Sequence, residues 1–151
     1  MAFVKQLKRG AGACIFCSQP KGRDEKHFIL WRGERTFAML NLFPYNPGHL
    51  MVAPFRHIAE YEDLTSEELA EMDAGVQRAI RLLKKVMKPD GLNVGLNLGT
   101  WSGAGFAHLH THVVPRWGGD ANFMPVIGDT KVIPEAIEAT YRKLKKAMKE
   151  K

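Results

Sequence analysis

The amino-acid sequence predicts an α+β fold, in which an antiparallel sheet of about five strands is combined with one long helix and a C-terminal helix. Three observations lead to this prediction. Short apolar segments are separated by turn signals, one segment has an uninterrupted helical pattern, and 151 residues are enough for a sizeable core. Strands joined by hairpin-like connections favour an antiparallel sheet. We therefore expect a single domain over residues 1–151, with basic tails at 1–13 and 142–151.

Five segments are predicted to be strands. The first two share HFILWRGERTFAMLN and are joined at residues 32–34, where Arg-Gly-Glu is a tight-turn signal. The loop FPYNPGH, whose prolines, asparagine and glycine resist regular structure, separates them from the third strand. The remaining strands are predicted, in order, at LMVAPF, GLNVGLNLG and HLHTHVVPRW.

Two longer segments are predicted to be helices. The first, LTSEELAEMDAGVQRAIRLLKKVM, can be capped by Thr65 or Ser66, with acidic residues in its first turn and lysines in its last. It ends at Pro89-Asp90-Gly91, and the second helix is IPEAIEATYRKLKKAM. The buried stripe of the first helix is predicted at three- and four-residue spacing, at Leu69, Met72, Val76, Ile80 and Leu83.

Charge and hydropathy exclude several classes of protein. No apolar run is long enough to cross a bilayer, and the N-terminal segment lacks the apolar core of a signal peptide, so a cytoplasmic protein without a membrane partner is expected. The first ten residues carry +3 and the last ten +5 of the net charge of +6, which leaves −2 between them. A solvated cationic face on the last helix explains these tails. No extended nucleic-acid binding is expected.

Half of the six histidines lie in the stretch AHLHTHVVPRW. His108, His110 and His112 are spaced by two residues, and their neighbours favour a strand. Side chains alternate along a strand, so the three imidazoles are expected on one face, at steps of about 6.5 Å. Burying three such groups together is costly unless they have metal, charged or ligand partners. The spacing therefore predicts a functional site rather than three core histidines.

The only two cysteines, Cys14 and Cys17, form a C-x-x-C pair. In a cytosolic protein such a pair is a metal knuckle or a redox pair more often than a disulfide. The redox interpretation requires a pair that follows a strand and opens a helix, which the preceding KRGAGA does not supply. The metal interpretation requires two more ligands, which would be histidines. The candidates are His27, His49, His57 and the three histidines described above.

The stretch HLHTHVV matches the H-φ-H-φ-H-φ-φ signature of the histidine triad (HIT) nucleotide-binding superfamily, in which φ is apolar. Further segments extend the resemblance over roughly residues 14–140. LNLFPYNPGHLMVAPFRH resembles a second block of that superfamily, and CIFC resembles its zinc-bearing members. VVPRWGGDANFMPVIGDTKVIPE is similar to the branch that contains fragile-histidine-triad hydrolases and bacterial diadenosine tetraphosphate phosphorylases. The resemblance implies a HIT-like fold, a nucleotide substrate and a homodimer with two sheets joined edge to edge.

The resemblance also assigns roles to the histidines. His110 would be the nucleophile that attacks the α-phosphorus of a nucleotide, and a neutral imidazole is a competent nucleophile near pH 7. His112 would lie near the phosphate or the leaving oxygen as a hydrogen-bond or proton donor. A structural Zn²⁺ without an open coordination position would hold the start of the catalytic strand in place. The ligands that the zinc-bearing members imply here are Cys14, Cys17, His57 and His108.

Other positions match the nucleotide site of the family less specifically. Asn41 falls where the fragile-histidine-triad branch places a nucleotide-contacting asparagine, and His49 and Asn97 match residues that line the site. Asn41 and His49 also have a simpler interpretation as residues that cap a loop.

The segment before the triad departs from the family pattern. Many members carry Gln or Ser there, in contact with the phosphate, whereas this chain has GAGFA at residues 103–107. Gly103 and Gly105 would let backbone N–H groups approach a phosphate closely, and Ser102 is the nearest hydroxyl. The side chain that contacts the phosphate is therefore left open.

Two classes of function follow from these residues. The first is an enzyme that cleaves dinucleoside polyphosphates at the α-phosphorus through a covalent nucleotidyl-His110 intermediate, with water or phosphate as the acceptor. The second is a non-catalytic nucleotide-binding module. Within the enzyme class, a phosphoramidase that hydrolyses adenosine phosphoramidates is the alternative. The intact central histidine favours an enzyme, and the match through PRWGGDANFMPV favours dinucleoside polyphosphates.

Overall fold

Five antiparallel strands form one sheet in the computed structural model, which describes residues 14–120 and 135–150. The order across the sheet is β1-β2-β3-β5-β4, so the strand that follows the histidine-rich segment lies inside the sheet and β1 and β4 form its edges. This arrangement confirms the predicted α+β fold. The strands are β1 (Ile29–Arg32), β2 (Thr36–Leu40), β3 (Leu50–Pro54), β4 (Gly91–Leu96) and β5 (Thr111–Arg116).

Every residue of β2 and β3 is buried, because both faces of the sheet are covered there. Alternation along the strands sends Leu40 and Val52 to the larger core, which is shared with two helices. Phe37 and Met51 belong to a smaller apolar cluster that includes Phe16. Met51 pairs across the sheet with His112, so the triad strand presents this histidine to the smaller cluster and not to the helices.

The helices differ in length and in how well the sequence predicted them. Two single-turn helices, one at the cysteines and one just before β1, were not predicted, whereas the long helix and the C-terminal helix were. The C-terminal helix begins later than predicted, at Ile137, and part of its predicted first turn lies outside the described residues. Within the described ranges, no helix is long and apolar enough to span a membrane. The helices are α1 (Ile15–Ser18), α2 (Asp24–His27), α3 (Ser66–Met87) and α4 (Ile137–Lys149).

A reciprocal capping box starts α3. The Thr65 side chain accepts a hydrogen bond from the backbone N–H of Glu68 at 3.2 Å, and Oε2 of Glu68 accepts one from the backbone N–H of Thr65 at 3.0 Å. The same carboxylate binds the Arg56 guanidinium at 2.9 and 2.6 Å. The hydrogen bond from Arg56 holds the pKa of Glu68 at about 2, against an ordinary value of 4.5. Glu68 therefore ties the helix start to the segment that carries His57.

The buried face of α3 differs from the predicted stripe. Met72 and Leu83 are buried as predicted, whereas Leu69, Val76 and Ile80 are only half-buried. The centre of the face is instead formed by small residues, Gly75 and Ala79, because the helix lies very close to β3. A Cβ on Gly75 would lie 3.0 Å from Val52.

The outer edge of β1 is covered by α4. The Tyr141 hydroxyl donates a hydrogen bond to the Ile29 carbonyl at 3.1 Å, and the Lys145 ammonium donates one to the Leu30 carbonyl at 2.8 Å. These carbonyls lie at a bulge in the pairing of β1 with β2, between Ile29 and Trp31. Burial raises the pKa of Tyr141 to about 12, so its hydroxyl stays a donor at neutral pH.

Candidate active site and metal centre

The triad histidines lie where β5 begins. β5 starts at Thr111, so the expectation that His108 and His110 lie inside the strand is wrong. The ladder stops there because the Pro54 carbonyl of β3 pairs with the imidazole Nε2 of His108, at 2.9 Å. The backbone N–H of Leu109 instead binds the Ile58 carbonyl at 2.7 Å. His110 and His112 nevertheless remain in contact, with ring centroids 4.6 Å apart, and the Phe16 ring contacts both His108 and His110.

His110 is buried with its two ring nitrogens in different roles. Its Nδ1 lies 2.7 Å from the His108 carbonyl oxygen, and since a carbonyl only accepts, Nδ1 carries the proton. Nε2 of the neutral ring therefore holds the electron pair. Burial lowers the pKa of His110, against the opposing effect of this hydrogen bond. The neutral form, which is the nucleophilic one, is the form present near pH 7.

His112 forms a pair with the fully buried His49. The backbone N–H of Tyr45 donates to Nδ1 of His49 at 3.1 Å, so the proton of neutral His49 is on Nε2. That Nε2 lies 2.9 Å from Nδ1 of His112, which must then accept. The proton of neutral His112 is therefore on its own Nε2.

The pair His110 and His112 thus presents an electron pair on one ring and an N–H donor on the other. Their rings meet edge to face with centroids 4.6 Å apart. Burial, and secondarily the neighbouring His110, lowers the pKa of His112 to about 4, so both rings are neutral near pH 7. One nucleophile beside one hydrogen-bond donor is the arrangement that attack on a phosphorus centre requires.

Four residues form a group that could hold a metal ion, with ligand atoms all within 4.8 Å of one another. Nδ1 of His108 lies 3.3 Å from Sγ of Cys14, 3.5 Å from Sγ of Cys17 and 3.2 Å from Nδ1 of His57. In tetrahedral coordination, bonds of about 2.0–2.3 Å separate neighbouring ligand atoms by about 3.3–3.8 Å. The donor set and its spacing therefore fit a tetrahedral metal. Because Nε2 of His108 donates to the Pro54 carbonyl, its Nδ1 has the electron pair that a metal needs.

The other histidines that the spacing had left as candidate ligands lie elsewhere. His49 is bound to His112, as described above. His27 lies at the end of α2, where its ring packs over Gly22. Only the residues that the family resemblance had implied are brought together in the four-residue group.

Phe16, between the two cysteines, was not predicted to belong to the site. Its ring is 1% exposed and stacks on His110 with centroids 4.5 Å apart and an interplanar angle of 27°. It also lies 5.2 Å from the His108 ring. One ring thus packs against both His110 and His108, and His108 belongs to the four-residue group that could hold a metal ion. The C-x-x-C spacing drew attention to the cysteines only, although it also fixes the positions of the two residues between them.

The residues matched less specifically to the nucleotide site fall into two groups. Nδ2 of Asn41 lies 3.4 Å from Nδ1 of His49, and its Oδ1 accepts from the Phe43 backbone N–H at 2.9 Å. Asn41 thus caps its loop, as its simpler interpretation had it, and also contacts the site histidine.

The second group lies in the loop before the triad and makes contacts within that loop. The Ser102 hydroxyl donates to the Gly99 carbonyl at 2.7 Å. Gly103 has a φ of +91° and lies beside the Asn97 amide, a conformation that a side chain would strain. Ser102, Gly103 and Gly105 are exposed and Asn97 is half-buried.

Comparison with known proteins agrees with this geometry. A family model described as "HIT domain" matches residues 23–119. A Mycobacterium tuberculosis protein named AP-4-A phosphorylase is 55% identical over 130 residues, which cover 85% of this chain and 67% of that protein. A Schizosaccharomyces pombe protein named bis(5'-nucleosyl)-tetraphosphatase (asymmetrical) is 32% identical over 88 residues, which cover 58% of this chain and 48% of that protein.

A solved structure is also similar to this chain. It is a crystal structure of a Zn-bound histidine triad family protein from Mycobacterium smegmatis, with a TM-score of 0.74 and 26% sequence identity. The similarity covers 93% of this chain and 96% of that chain. It extends beyond the residues matched by the family model.

Proposed function

Because the chain belongs to the histidine triad (HIT) family, we propose that it is an enzyme that cleaves dinucleoside polyphosphates at the phosphorus nearest one nucleoside. The observation that carries this proposal is the 2.7 Å hydrogen bond between Nδ1 of His110 and the His108 carbonyl, since it leaves the electron pair on Nε2. The M. tuberculosis relative named AP-4-A phosphorylase supports the substrate class.

The first step transfers a nucleotide to His110. Nε2 of His110 attacks the α-phosphorus, an N–P bond forms, and the P–O bond to the rest of the polyphosphate chain breaks. The leaving oxygen departs as an anionic terminal oxygen of ATP, and the N–H at Nε2 of His112 donates a hydrogen bond that stabilises its charge. Diadenosine tetraphosphate would release ATP and leave AMP on the histidine. A covalent intermediate splits one difficult substitution into two easier ones.

The second step returns the enzyme to its starting state. An anionic oxygen of inorganic phosphate attacks the phosphorus, the N–P bond breaks, and the electron pair returns to Nε2 of His110, while the N–H of His112 donates to a phosphate oxygen. The product is then ADP, whereas water as the acceptor would give AMP. We take phosphate as the acceptor because the relative with 55% identity is named a phosphorylase.

The nucleotide would be held by two loops next to the triad. The glycines at 103 and 105 would let backbone N–H groups contact the phosphate chain, and the hydroxyl or amide of a neighbouring residue would add a donor. Asn41 and His49 lie at the two ends of the loop between β2 and β3, where Asn41 contacts His49 and His49 contacts His112. The proposed substrate-binding residues are Asn41, His49, Asn97, Ser102, Gly103, Gly105 and His112.

The four-residue metal group would bind a structural Zn²⁺. Two thiolates and two imidazoles suit zinc, and a site closed by four protein ligands supports structure rather than catalysis. When bound, the metal would supply a crosslink between distant segments. Through His108 it would hold the carbonyl that orients His110. The proposed ligands are Cys14, Cys17, His57 and His108.

The protein is proposed to be a single-domain, cytoplasmic homodimer in which two β4 strands pair edge to edge. Among the described strands β4 lies at an edge of the sheet, with its residues exposed or half-buried. Val94 and Leu98 are 46% and 45% exposed, and Trp101 is fully exposed. Exposed apolar side chains beside an unpaired edge are typical of a surface that another chain covers.

The decisive experiment mixes the protein with diadenosine tetraphosphate and follows products and intact mass. We expect ADP and ATP in the presence of phosphate, and a nucleotide-sized adduct that is absent from the His110→Asn variant. His27→Asn is the matched control, because it makes the same change in a histidine outside the triad. Activity of His110→Asn within a few-fold of the parent protein would disprove the nucleophile. A specificity constant at least a hundredfold higher for an adenosine phosphoramidate would favour a phosphoramidase, and binding without turnover would favour a nucleotide-binding module.

A further inference from the structure

A buried asparagine ties the loop that carries His49 to the far end of the triad strand. Asn46 is 5% exposed, and its Nδ2 donates to the Pro115 carbonyl at 2.8 Å and to Oδ2 of Asp120 at 2.7 Å. Both hydrogens of the amide are therefore used. These contacts join residues 69 and 74 positions apart in the sequence, so they fix the loop relative to β5.

The acceptor of this contact is itself held firmly. Arg116 donates to both oxygens of Asp120, at 2.7 and 2.6 Å, and the Trp117 backbone N–H donates to Oδ2 at 3.1 Å. The hydrogen bond from Arg116 is the main reason that the pKa of Asp120 is lowered. The carboxylate thus stays charged at neutral pH and presents an oriented acceptor to Asn46.

The backbone around Asn46 sets the hydrogen bonds of His49. The Asn46 carbonyl accepts from the His49 backbone N–H at 3.1 Å, and the next residue back along the chain, Tyr45, donates its backbone N–H to Nδ1 of His49 at 3.1 Å. The Tyr45 ring also lies over the His49 ring, with centroids 4.8 Å apart. A shift of Asn46 would therefore move the donor that keeps the proton of His49 on Nε2.

We propose that Asn46 and Asp120 are positioning residues that hold His112 in the tautomer with its proton on Nε2. The proposal rests on the proposed function, in which that N–H faces the phosphate or the leaving oxygen. If the Tyr45 N–H moved away, the Asn41 amide, 3.4 Å from Nδ1 of His49, would be a weaker donor to that atom. His49 could then carry its proton on Nδ1, and its Nε2 would accept from Nδ1 of His112. Nε2 of His112 would become an acceptor, which repels a phosphate oxygen instead of donating to it.

The first test measures the tautomer directly, by ¹⁵N NMR of the histidine side chains in the full-length protein at neutral pH. In the parent protein, the signals of His112 should show a protonated Nε2 and an unprotonated Nδ1. In Asn46→Ala, which removes both amide hydrogen bonds, we expect averaged signals from the two tautomers. A parent protein with the proton on Nδ1 of His112 would overturn the proposal without any variant.

The second test measures cleavage of diadenosine tetraphosphate. Asn46→Ala and Asp120→Ala should lower kcat about tenfold and change KM less than about twofold, because a donor used during bond breaking is lost. Asp120→Asn keeps an acceptor oxygen and should restore most of kcat. Asp90→Ala is the control. Asp90 holds the same turn, because its carboxylate accepts a hydrogen bond from the Gly118 N–H at 2.7 Å, but it belongs neither to the Asn46–Asp120 contact nor to the proposed catalytic residues.

Each outcome of these two tests supports or refutes either the positioning role or the proposed function. A folded Asn46→Ala protein with unchanged kcat and unchanged His112 signals would refute the positioning role, and so would a loss confined to KM. If Asn46→Ala does not fold, Asp120→Ala, at the more exposed end of the network, is measured in its place. A parent protein that shows the predicted tautomer but neither cleaves nor forms an adduct would refute the proposed function and leave the positioning role intact.

Discussion

Replacing Phe16 by alanine is expected to destabilise the protein and slow the reaction without loss of metal. The ring is 1% exposed, and burying such a side chain is worth about 1.5–3 kcal/mol in transfer free energy. The cavity left behind raises measured costs for Phe→Ala to about 3–5 kcal/mol. Part of that, about 0.5–1.5 kcal/mol, is due to ring–ring contacts such as the stack on His110. Phe16→Leu should lose that part and keep most of the rest.

The assay is urea unfolding of the metal-loaded protein, together with metal content and kcat. For a chain of this size, a loss of 3–5 kcal/mol corresponds to a fall in Tm on the order of 10 °C. Metal content should stay at the parent level because Phe16 supplies no ligand. kcat should fall because the wall behind His110 is missing. Phe43→Ala is the matched control: Phe43 is 61% exposed, and its replacement should change stability by about 0.5 kcal/mol or less.

Two results would refute this reasoning. A cost below about 1 kcal/mol for Phe16→Ala would mean that the ring is not packed in solution as described. A stability change of the expected size with an unaffected kcat would mean that the stack on His110 has no part in orienting the proposed nucleophile.

Two further predictions concern the metal group and the start of α3. Cys14→Ser and Cys17→Ser should each reduce the metal content from about one ion per chain to near zero and lower Tm, and a chelator should lower Tm of the parent protein but have little further effect on these variants. Metal content and Tm equal to those of the parent protein would instead indicate that both cysteines are free thiols. The folded pKa of Glu68, about 2, lies below the ordinary 4.5, so its stabilising contribution is complete above about pH 4.5 and is lost as the pH falls toward 2. Glu68→Gln should lower stability at pH 7 and flatten this pH dependence in urea unfolding, and an unchanged slope would contradict the assignment.

Local patterns predicted the features of the fold that depend on neighbouring residues. The long helix was placed correctly because Thr65 and Glu68 cap each other within one turn. The hairpin of β1 and β2 follows from the glycine between two apolar segments. The buried stripe of α3 was predicted less well, since close approach of the helix to β3 selects Gly75 and Ala79, and no periodicity of large apolar residues can indicate that.

The site required information that spacing alone does not contain. The pattern of alternate histidines predicted a functional cluster, but the choice of His57 and His108 as partners of the cysteines came from the family resemblance. Asn46 and Phe16 gave no signal, because their roles depend on contacts with residues far away in the sequence, such as Pro115 and His110. The start of β5 was misplaced for the same reason: the imidazole of His108, not its backbone, binds Pro54.

The covering of β1 by α4 has a consequence for how copies of this chain can assemble. Because Tyr141 and Lys145 occupy carbonyls at that margin, an incoming strand cannot continue the hydrogen-bond ladder there. Among the described residues, no helix covers β4 in this way at the opposite margin, so extension of the sheet is blocked at β1 and open at β4. Two copies that join through β4 would each present the blocked margin outward. Addition of further copies would then stop at a closed pair, whereas a chain whose sheet had two open margins could polymerise into a filament.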